Sequence, residues 1–205
     1  MVQQQRQYRK RGLFVIDAVR PLVQIMLVVA MMLMGGARVA WAGGDGARFE
    51  DLLFWNAVRA GKMADIARMV ESGESLNRLD RNGMTPLLYA VQLKNGEMLA
   101  YILANEVNIE QAGPSGDTAL IHAVRHGMVG MVDMLLRAGA DINKQDRYGV
   151  TPLMKAVEHG HAALVKKLLM EGASMAITDY TGRDVLYYAD NQRDGRMRRL
   201  LREHR

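Results

Sequence analysis

The sequence has no cysteine among its 205 residues. This absence excludes disulfide bonds, a thiol nucleophile and any metal site built from thiolates. A chain without these cross-links must be stabilised by its hydrophobic core and by the stacking of its secondary-structure elements.

Motifs of several enzyme classes are also missing. The sequence contains no G-x-S-x-G, no H-E-x-x-H and no glycine-rich loop of the P-loop type. These patterns supply a nucleophile, a zinc site and a phosphate cradle, respectively. We therefore expect a non-enzymatic protein that uses no cofactor.

The N-terminal apolar run is too short to be a standard membrane-spanning helix. It covers thirteen residues, 22–34, whereas a spanning helix needs roughly 20. A basic segment precedes it and the A-x-A motif Ala40-Trp41-Ala42 follows it, which is the order found in secretory signals. We predict a signal peptide over 1–42, cleaved after Ala42 on the general secretory route to the bacterial periplasm, and a mature chain over 43–205. An uncleaved inner-membrane anchor is the alternative.

The net charge of +5 does not indicate a nucleic-acid partner. Residues 1–42 contain six basic and one acidic residue and carry all of this excess, so that 43–205 is neutral. Binding to nucleic acid requires an excess of basic residues in one place. Six arginines do lie between Arg193 and Arg205. They form either a solvated helix face or a surface for an acidic partner or lipid headgroups.

Four glycines, Gly83, Gly116, Gly149 and Gly182, recur at an interval of 33 residues. Other positions keep the same register: Thr85, Thr118 and Thr151; Leu87, Leu120, Leu153 and Leu186; Ala90, Ala123, Ala156 and Ala189. A fixed period of this length is typical of stacked repeat proteins.

Each repeat predicts a pair of helices. A threonine after the glycine can cap a first helix, and Pro86 or Pro152 then fits its first position. A second apolar set with a spacing of three and four residues follows. Gly139 and Gly172 come just after it, where a C-terminal cap is expected.

The pattern D-x-x-G-x-T-P-L, ending in L-L-x-x-G-A-D-x-N, resembles the ankyrin repeat, most clearly over 146–178. The resemblance implies an all-α solenoid of about five helix-turn-helix units. We number these units one to five: 47–79, 80–112, 113–145, 146–178 and 179–205. Units one and five are atypical, as expected for units with one face in water.

The chain departs from the ankyrin pattern at several positions. The family's histidine after the leucine is replaced by Leu88, Ile121, Met154 and Tyr187, so the hydrogen bond that it makes between units is not expected. Lys94 and Glu106 stand where the family has glycines. A left-handed backbone at either residue would cost roughly 1 kcal/mol, and we expect unit two to be the least regular.

The resemblance implies a protein partner on the concave side, made of turn tips and the ends of the first helices. We predict as contact residues Arg81, Asn82, Met84, Arg125, His126, Arg147, Tyr148, Val150, His159, Tyr180 and Arg183, with Ser115, Asp117, Gln92, Leu93, Glu158 and Gln192 on the same face. Tyrosine and arginine are frequent hot spots, so we expect Arg147, Tyr148, Tyr180 and Arg183 to form its centre.

Two alternatives to a monomeric periplasmic binding protein stay open. One is a metal or small-ligand carrier that uses the histidines and methionines, and the other is a secreted effector that binds host proteins. The candidate ligands for the carrier are His122, His126, His159 and His161, and Met128, Met131 and Met134. We expect no metal, because equivalent positions of neighbouring units lie about 10 Å apart and methionine more often fills a core.

Overall fold

The computed structural model describes residues 46–191 and 195–204, with side chains from Glu50 onward. Within these residues the regular structure is entirely α-helical, which confirms the predicted fold class. The ten helices are α1 Gly46–Ala60, α2 Met63–Glu71, α3 Pro86–Gln92, α4 Gly96–Leu103, α5 Ala119–Arg125, α6 Val129–Arg137, α7 Pro152–Glu158, α8 Ala162–Met170, α9 Val185–Asp190 and α10 Arg196–Glu203. The predicted signal peptide, 1–42, lies outside the described residues.

From unit two onward, the two helices of each unit pack against each other, and the first helices of neighbouring units pack side by side. The core between them is continuous, with Phe54 and Ile66 of unit one and Leu200 of unit five at its two ends. Burial of each large apolar side chain stabilises the fold by about 1.5–3 kcal/mol. The largest fully buried side chains are Phe54, Ile66, Leu87, Met98, Leu99, Ile102, Leu120, Ile121, Leu135, Leu153, Met154 and Leu164.

The first helices begin as the sequence predicts. The hydroxyls of Thr85, Thr118 and Thr151 accept hydrogen bonds from the backbone N–H groups three residues later, at 3.1, 3.3 and 3.2 Å. Asp184 has the same role in unit five, where its carboxylate accepts from the N–H of Tyr187 at 2.9 Å. Such a cap contributes about 1 kcal/mol because the first N–H groups of a helix have no partner within it.

A tight turn precedes each of these caps. Its glycine has a φ angle of 75° at Gly83, 81° at Gly116, 80° at Gly149 and 81° at Gly182, a region that side chains disfavour. Three residues before the glycine stands Asp80, Asp146 or Asp179, whose Oδ1 accepts two backbone N–H groups of the turn at 2.8–3.0 Å. Unit three has Gly113 instead and lacks this carboxylate.

Unit two shows one of the two irregularities expected of it. Lys94 joins α3 to α4 with a φ of 54° and is the one residue other than glycine with a positive φ in the described part of the chain. The expectation for Glu106 is wrong, since its φ is not positive. Helix α4 ends at Leu103, and the Asn105 side-chain amide donates to the carbonyl of Tyr101 at 2.7 Å, so the chain leaves the helix without a left-handed residue.

None of the helices in the described residues is both long and apolar enough to cross a bilayer.

Candidate protein-binding surface

The tips of the turns stack directly on one another along the array. A side-chain β-carbon placed on Gly116 would lie 2.8 Å from the Arg147 Cβ, and one on Gly149 would lie 2.6 Å from the Tyr180 backbone nitrogen. Both separations are below van der Waals contact, so these positions accept only glycine without a shift of the neighbouring tip. The missing side chains let the tips of units four and five pack against the preceding turn.

We refer to Arg147, Tyr148, Tyr180 and Arg183 as the tip ladder. The N–H of Tyr180 donates to the carbonyl of Tyr148 at 3.0 Å, which ties the two tips together through the backbone. The Arg147 guanidinium carbon lies 5.9 Å from the centre of the Tyr148 ring. The corresponding carbon of Arg183 lies 4.9 Å from the ring of Tyr187. These distances are within the range of cation–π attraction.

The tyrosines of the tip ladder are free for contact. Tyr148 is 63% exposed and Tyr180 is 71% exposed, although both carry large aromatic rings. An exposed aromatic ring held by a rigid backbone offers contact area with little loss of conformational freedom on binding. Of the four residues that the sequence indicates as the centre of a binding face, the structure therefore brings Arg147, Tyr148 and Tyr180 together, whereas Arg183 lies against Tyr187.

The other predicted contact residues divide into an exposed and a buried set. Arg81, Asn82, His126 and His159 are exposed, and Met84 is half-buried. Val150 does not belong to the surface, because its side chain is 5% exposed and packs in the core. Asp117, at the same repeat position, is also buried. Gln192 lies outside the described residues.

Arg125 links two units instead of projecting as a free contact. Its guanidinium forms an ion pair with Oδ2 of Asp117 at 2.5 Å. Its backbone carbonyl lies 3.0 Å from Nε2 of His161 in unit four. His161 therefore makes a bond between units, although it does not occupy the position of the family histidine.

A second bond between units recurs through the loops that follow the second helices. Asn77, Glu110 and Asn143 stand 33 residues apart, and each side chain accepts the backbone N–H of the residue 31 positions later. The distances from acceptor to donor are 2.6 Å to Asn108, 2.8 Å to Asp141 and 2.8 Å to Ser174. We call these three bonds the loop clamps. The polar residue that recurs at the last position of G-A-D-x-N indicates a repeated contact within the repeat pattern. The sequence does not show which backbone N–H group it accepts.

The candidate histidines lie in two pairs, and the candidate methionines pack in the core. The rings of His122 and His126 are 4.7 Å apart and those of His159 and His161 are 6.1 Å apart. In the described ranges, no group of three or more His, Asp or Glu side chains is placed to hold a metal ion. Met131 is buried, and Met128 and Met134 pack against the same core.

The C-terminal helix presents a basic face to solvent. Met197, Leu200 and Leu201 of α10 are buried, whereas its four arginines are exposed. Arg198 pairs with Asp190 at 3.2 Å. A groove of about 390 Å³ runs between α10 and α8, with Lys166, Arg196, Arg199 and Glu203 among its lining residues. Arg193 and Arg205 lie outside the described residues.

The turns, caps and helix pairs described above have a match among known families. The pattern of ankyrin repeats (three copies) matches residues 54–146 and 129–204. The chain belongs to the ankyrin repeat family. Comparison with curated proteins gave no match. Ankyrin repeats generally mediate protein–protein interactions and are typically non-enzymatic, and the match covers no catalytic domain.

Proposed function

We propose that this ankyrin repeat protein is a non-enzymatic, monomeric scaffold of the bacterial periplasm that binds a partner protein through the tip ladder. The observation that carries the proposal is the pair of exposed tyrosines, Tyr148 and Tyr180, fixed on adjacent tips by a backbone hydrogen bond. Arg147 lies beside the Tyr148 ring, and tyrosine and arginine are the residue types enriched in hot spots.

The N-terminal segment supports export as the route to this location. A basic segment, a short apolar run and an A-x-A motif come in the order that signal peptidase substrates show. N-terminal sequencing of the protein recovered from periplasm should begin at Gly43. A chain that begins before Ala37 and sediments with membranes would contradict cleavage and favour an inner-membrane anchor.

The binding face is tested by substitution. After in-cell cross-linking has identified a partner, Tyr148→Ala combined with Tyr180→Ala should weaken its binding by at least about 2 kcal/mol, the usual threshold of a hot spot. Met170→Ala is a matched control, because Met170 is 80% exposed and lies at the end of a second helix, away from the tips. A thermal melt of each variant separates loss of contact from loss of structure.

The basic face of α10 is the competing surface. Substitution of Arg199 and Arg202 by glutamine should leave partner binding unchanged if the tip ladder is the contact. Raised salt should then have a small effect, because aromatic contacts are screened far less than exposed charges. Normal binding by the double tyrosine variant, together with loss of binding in the arginine variant, would place the partner on α10.

A further inference from the structure

Units two and five fasten their turns with the same pair of side chains. The hydroxyl of Tyr89 donates to Oδ2 of Asp80, and the hydroxyl of Tyr188 donates to Oδ2 of Asp179, both at 2.8 Å. In unit three the two equivalent positions hold Gly113 and His122. Both members of the pair are therefore missing from the same unit.

A pocket of about 120 Å³ lies at this place. A water molecule occupies about 30 Å³ of liquid, so the pocket has room for the end of a side chain and not only for a single water. Gly113 helps to keep it open, because a β-carbon there would lie 2.8 Å from Cδ1 of Leu88. The lining residues are Met84, Leu88, Gln92, Gly113, Pro114, Ser115, Asp117 and His122.

One of the lining residues, Asp117, has a buried carboxylate with one oxygen that lacks a hydrogen-bond partner among the described residues. Asp117 is 2% exposed, and its Oδ2 receives both the Ser115 hydroxyl at 3.0 Å and the Arg125 guanidinium at 2.5 Å. Its Oδ1 has no hydrogen-bond partner among the described residues. A buried acceptor without a donor is unfavourable, and native structures rarely leave one unsatisfied. A donor supplied from outside the chain would remove this deficit.

The walls of the pocket define the chemistry of that donor. Met84, Leu88 and Pro114 supply apolar surface, and Gln92 adds a carbonyl acceptor. Burial lowers the pKa of His122, and His126 and Arg125 lower it further against the opposing effect of Asp117, which favours the neutral ring with its acceptor nitrogen. A lysine side chain combines an apolar stem with three N–H donors and no acceptor.

We propose that this pocket binds the ammonium group of a lysine side chain from the partner protein, with Oδ1 of Asp117 as its principal acceptor. Oδ1 is closed to solvent in the structure, so the proposal requires a lining side chain to move, and Met84 is the most adaptable of these. The guanidinium of Arg125 stays on Oδ2, since a carboxylate accepts hydrogen bonds on both oxygens. The proposal rests on the proposed function only for the source of the lysine.

The test uses a small probe and needs no partner. Nα-acetyl-lysine amide is titrated into the ¹⁵N-labelled full-length chain and followed by amide chemical shifts. We expect shifts at Ser115, Asp117 and His122. The uncharged analogue Nα-acetyl-norleucine amide should bind at least about tenfold more weakly, a difference of about 1.4 kcal/mol.

Two variants keep the test independent of folding. Asp117→Val removes the carboxylate, and the array already accepts valine at this position, because Val150 is its buried equivalent in unit four. Gly113→Asp combined with His122→Tyr restores the pair of units two and five and fills the pocket. Both variants should lose the lysine-dependent shifts, and the second should melt at the same or a higher temperature than the original chain.

Several results would overturn the proposal. These are a norleucine analogue that binds as well as the lysine probe, an Asp117→Val variant that binds the probe normally, and an absence of shifts at Ser115 and His122 up to the solubility of the probe. Tighter binding of Nα-acetyl-arginine amide would overturn the assignment of an ammonium group. Failure of the tyrosine variants to affect a partner would instead contradict the tip ladder and leave the result with the probe intact.

Discussion

The turns at Asp179 and at Gly113 follow the same backbone path but are held by different side chains. In both, the first residue donates its N–H to the carbonyl four positions later, at 2.8 Å in unit five and 3.0 Å in unit three. The carboxylate of Asp179 adds bonds from the N–H groups of Thr181 and Arg183 and from the hydroxyl of Tyr188, and Gly113 adds none. The backbone bonds and the glycine therefore define the turn, and the aspartate strengthens it.

This difference shows where a repeat array can acquire a specific site. A unit with neighbours on both sides keeps its turn without the aspartate, because the units before and after it hold it in place. The space released in unit three is a pocket lined in part by Asp117, whose Oδ1 has no hydrogen-bond partner among the described residues. Unit five keeps the full set of side-chain bonds.

The largest effect is expected from removal of the Asp179 carboxylate. Asp179→Ala removes the acceptor of two N–H groups of its turn and of the Tyr188 hydroxyl, and hydrogen bonds to a charged group contribute about 1.5–3 kcal/mol each. We expect a loss of about 3 kcal/mol in the free energy of unfolding, measured with urea. Asp65→Asn is the control, because its pair with Arg68 is exposed. A loss below about 1 kcal/mol would show that the backbone bonds alone hold the turn.

Acid should weaken unit five through the same group. Burial raises the pKa of Asp179, but the hydrogen bonds from Thr181, Arg183 and Tyr188 outweigh burial and hold the pKa well below its usual range. Since the folded pKa is depressed, the stabilisation is present above the unfolded value of about 3.9 and is lost as the pH falls below it. Urea melts of the original chain should show this loss between about pH 4 and pH 2. If the Asp179→Asn variant loses as much stability over the same pH range, other carboxylates are responsible for the loss.

The pair of side chains that fastens the turn of unit five can also be introduced into unit three. Gly113→Asp with His122→Tyr should stabilise the chain by about 1 kcal/mol, the net worth of a typical hydrogen bond, since the new carboxylate can accept from the turn and from the tyrosine. The steric cost falls on the end of the Leu88 side chain, which can rotate. Gly113→Asp alone is the matched control. A double variant less stable than the original chain would show that the pocket is part of the packing.

The smallest effect concerns the junction in unit two. Lys94→Gly should stabilise the chain by up to about 1 kcal/mol, because glycine accepts the φ of 54° without steric cost. The gain is reduced by the greater freedom of glycine in the unfolded chain. Thermal melts show whether the substitution raises or lowers the stability. The control is Lys62→Gly, which should be destabilising because Lys62 has an ordinary φ of −79°. If Lys94→Gly and Lys62→Gly change the stability equally, the left-handed backbone at Lys94 is not the cause of the effect.

The sequence predicted the features that each unit carries within itself. The caps at Thr85, Thr118 and Thr151 and the glycine turns depend on residues a few positions apart, so their spacing is sufficient to place them. The residues of the tip ladder were chosen from the same register, and their role in binding stays a prediction. The burial of Asp117 and Val150 could not be predicted in this way, because it depends on how closely the neighbouring unit packs. Glu106 was predicted wrongly because α4 ends before the family's cap position.

The loop clamps determine which changes of length the array can tolerate. Each clamp has its acceptor in one unit and its donor in the next, at a constant separation of 31 residues. Deletion or duplication of 33 residues within the clamped region moves an equivalent acceptor into the place of the lost one, so every donor finds a partner again. A deletion whose length is not a multiple of the 33-residue period separates donors from acceptors and also shifts the buried face of the next helix. The array can therefore gain or lose whole units and keep its loop clamps.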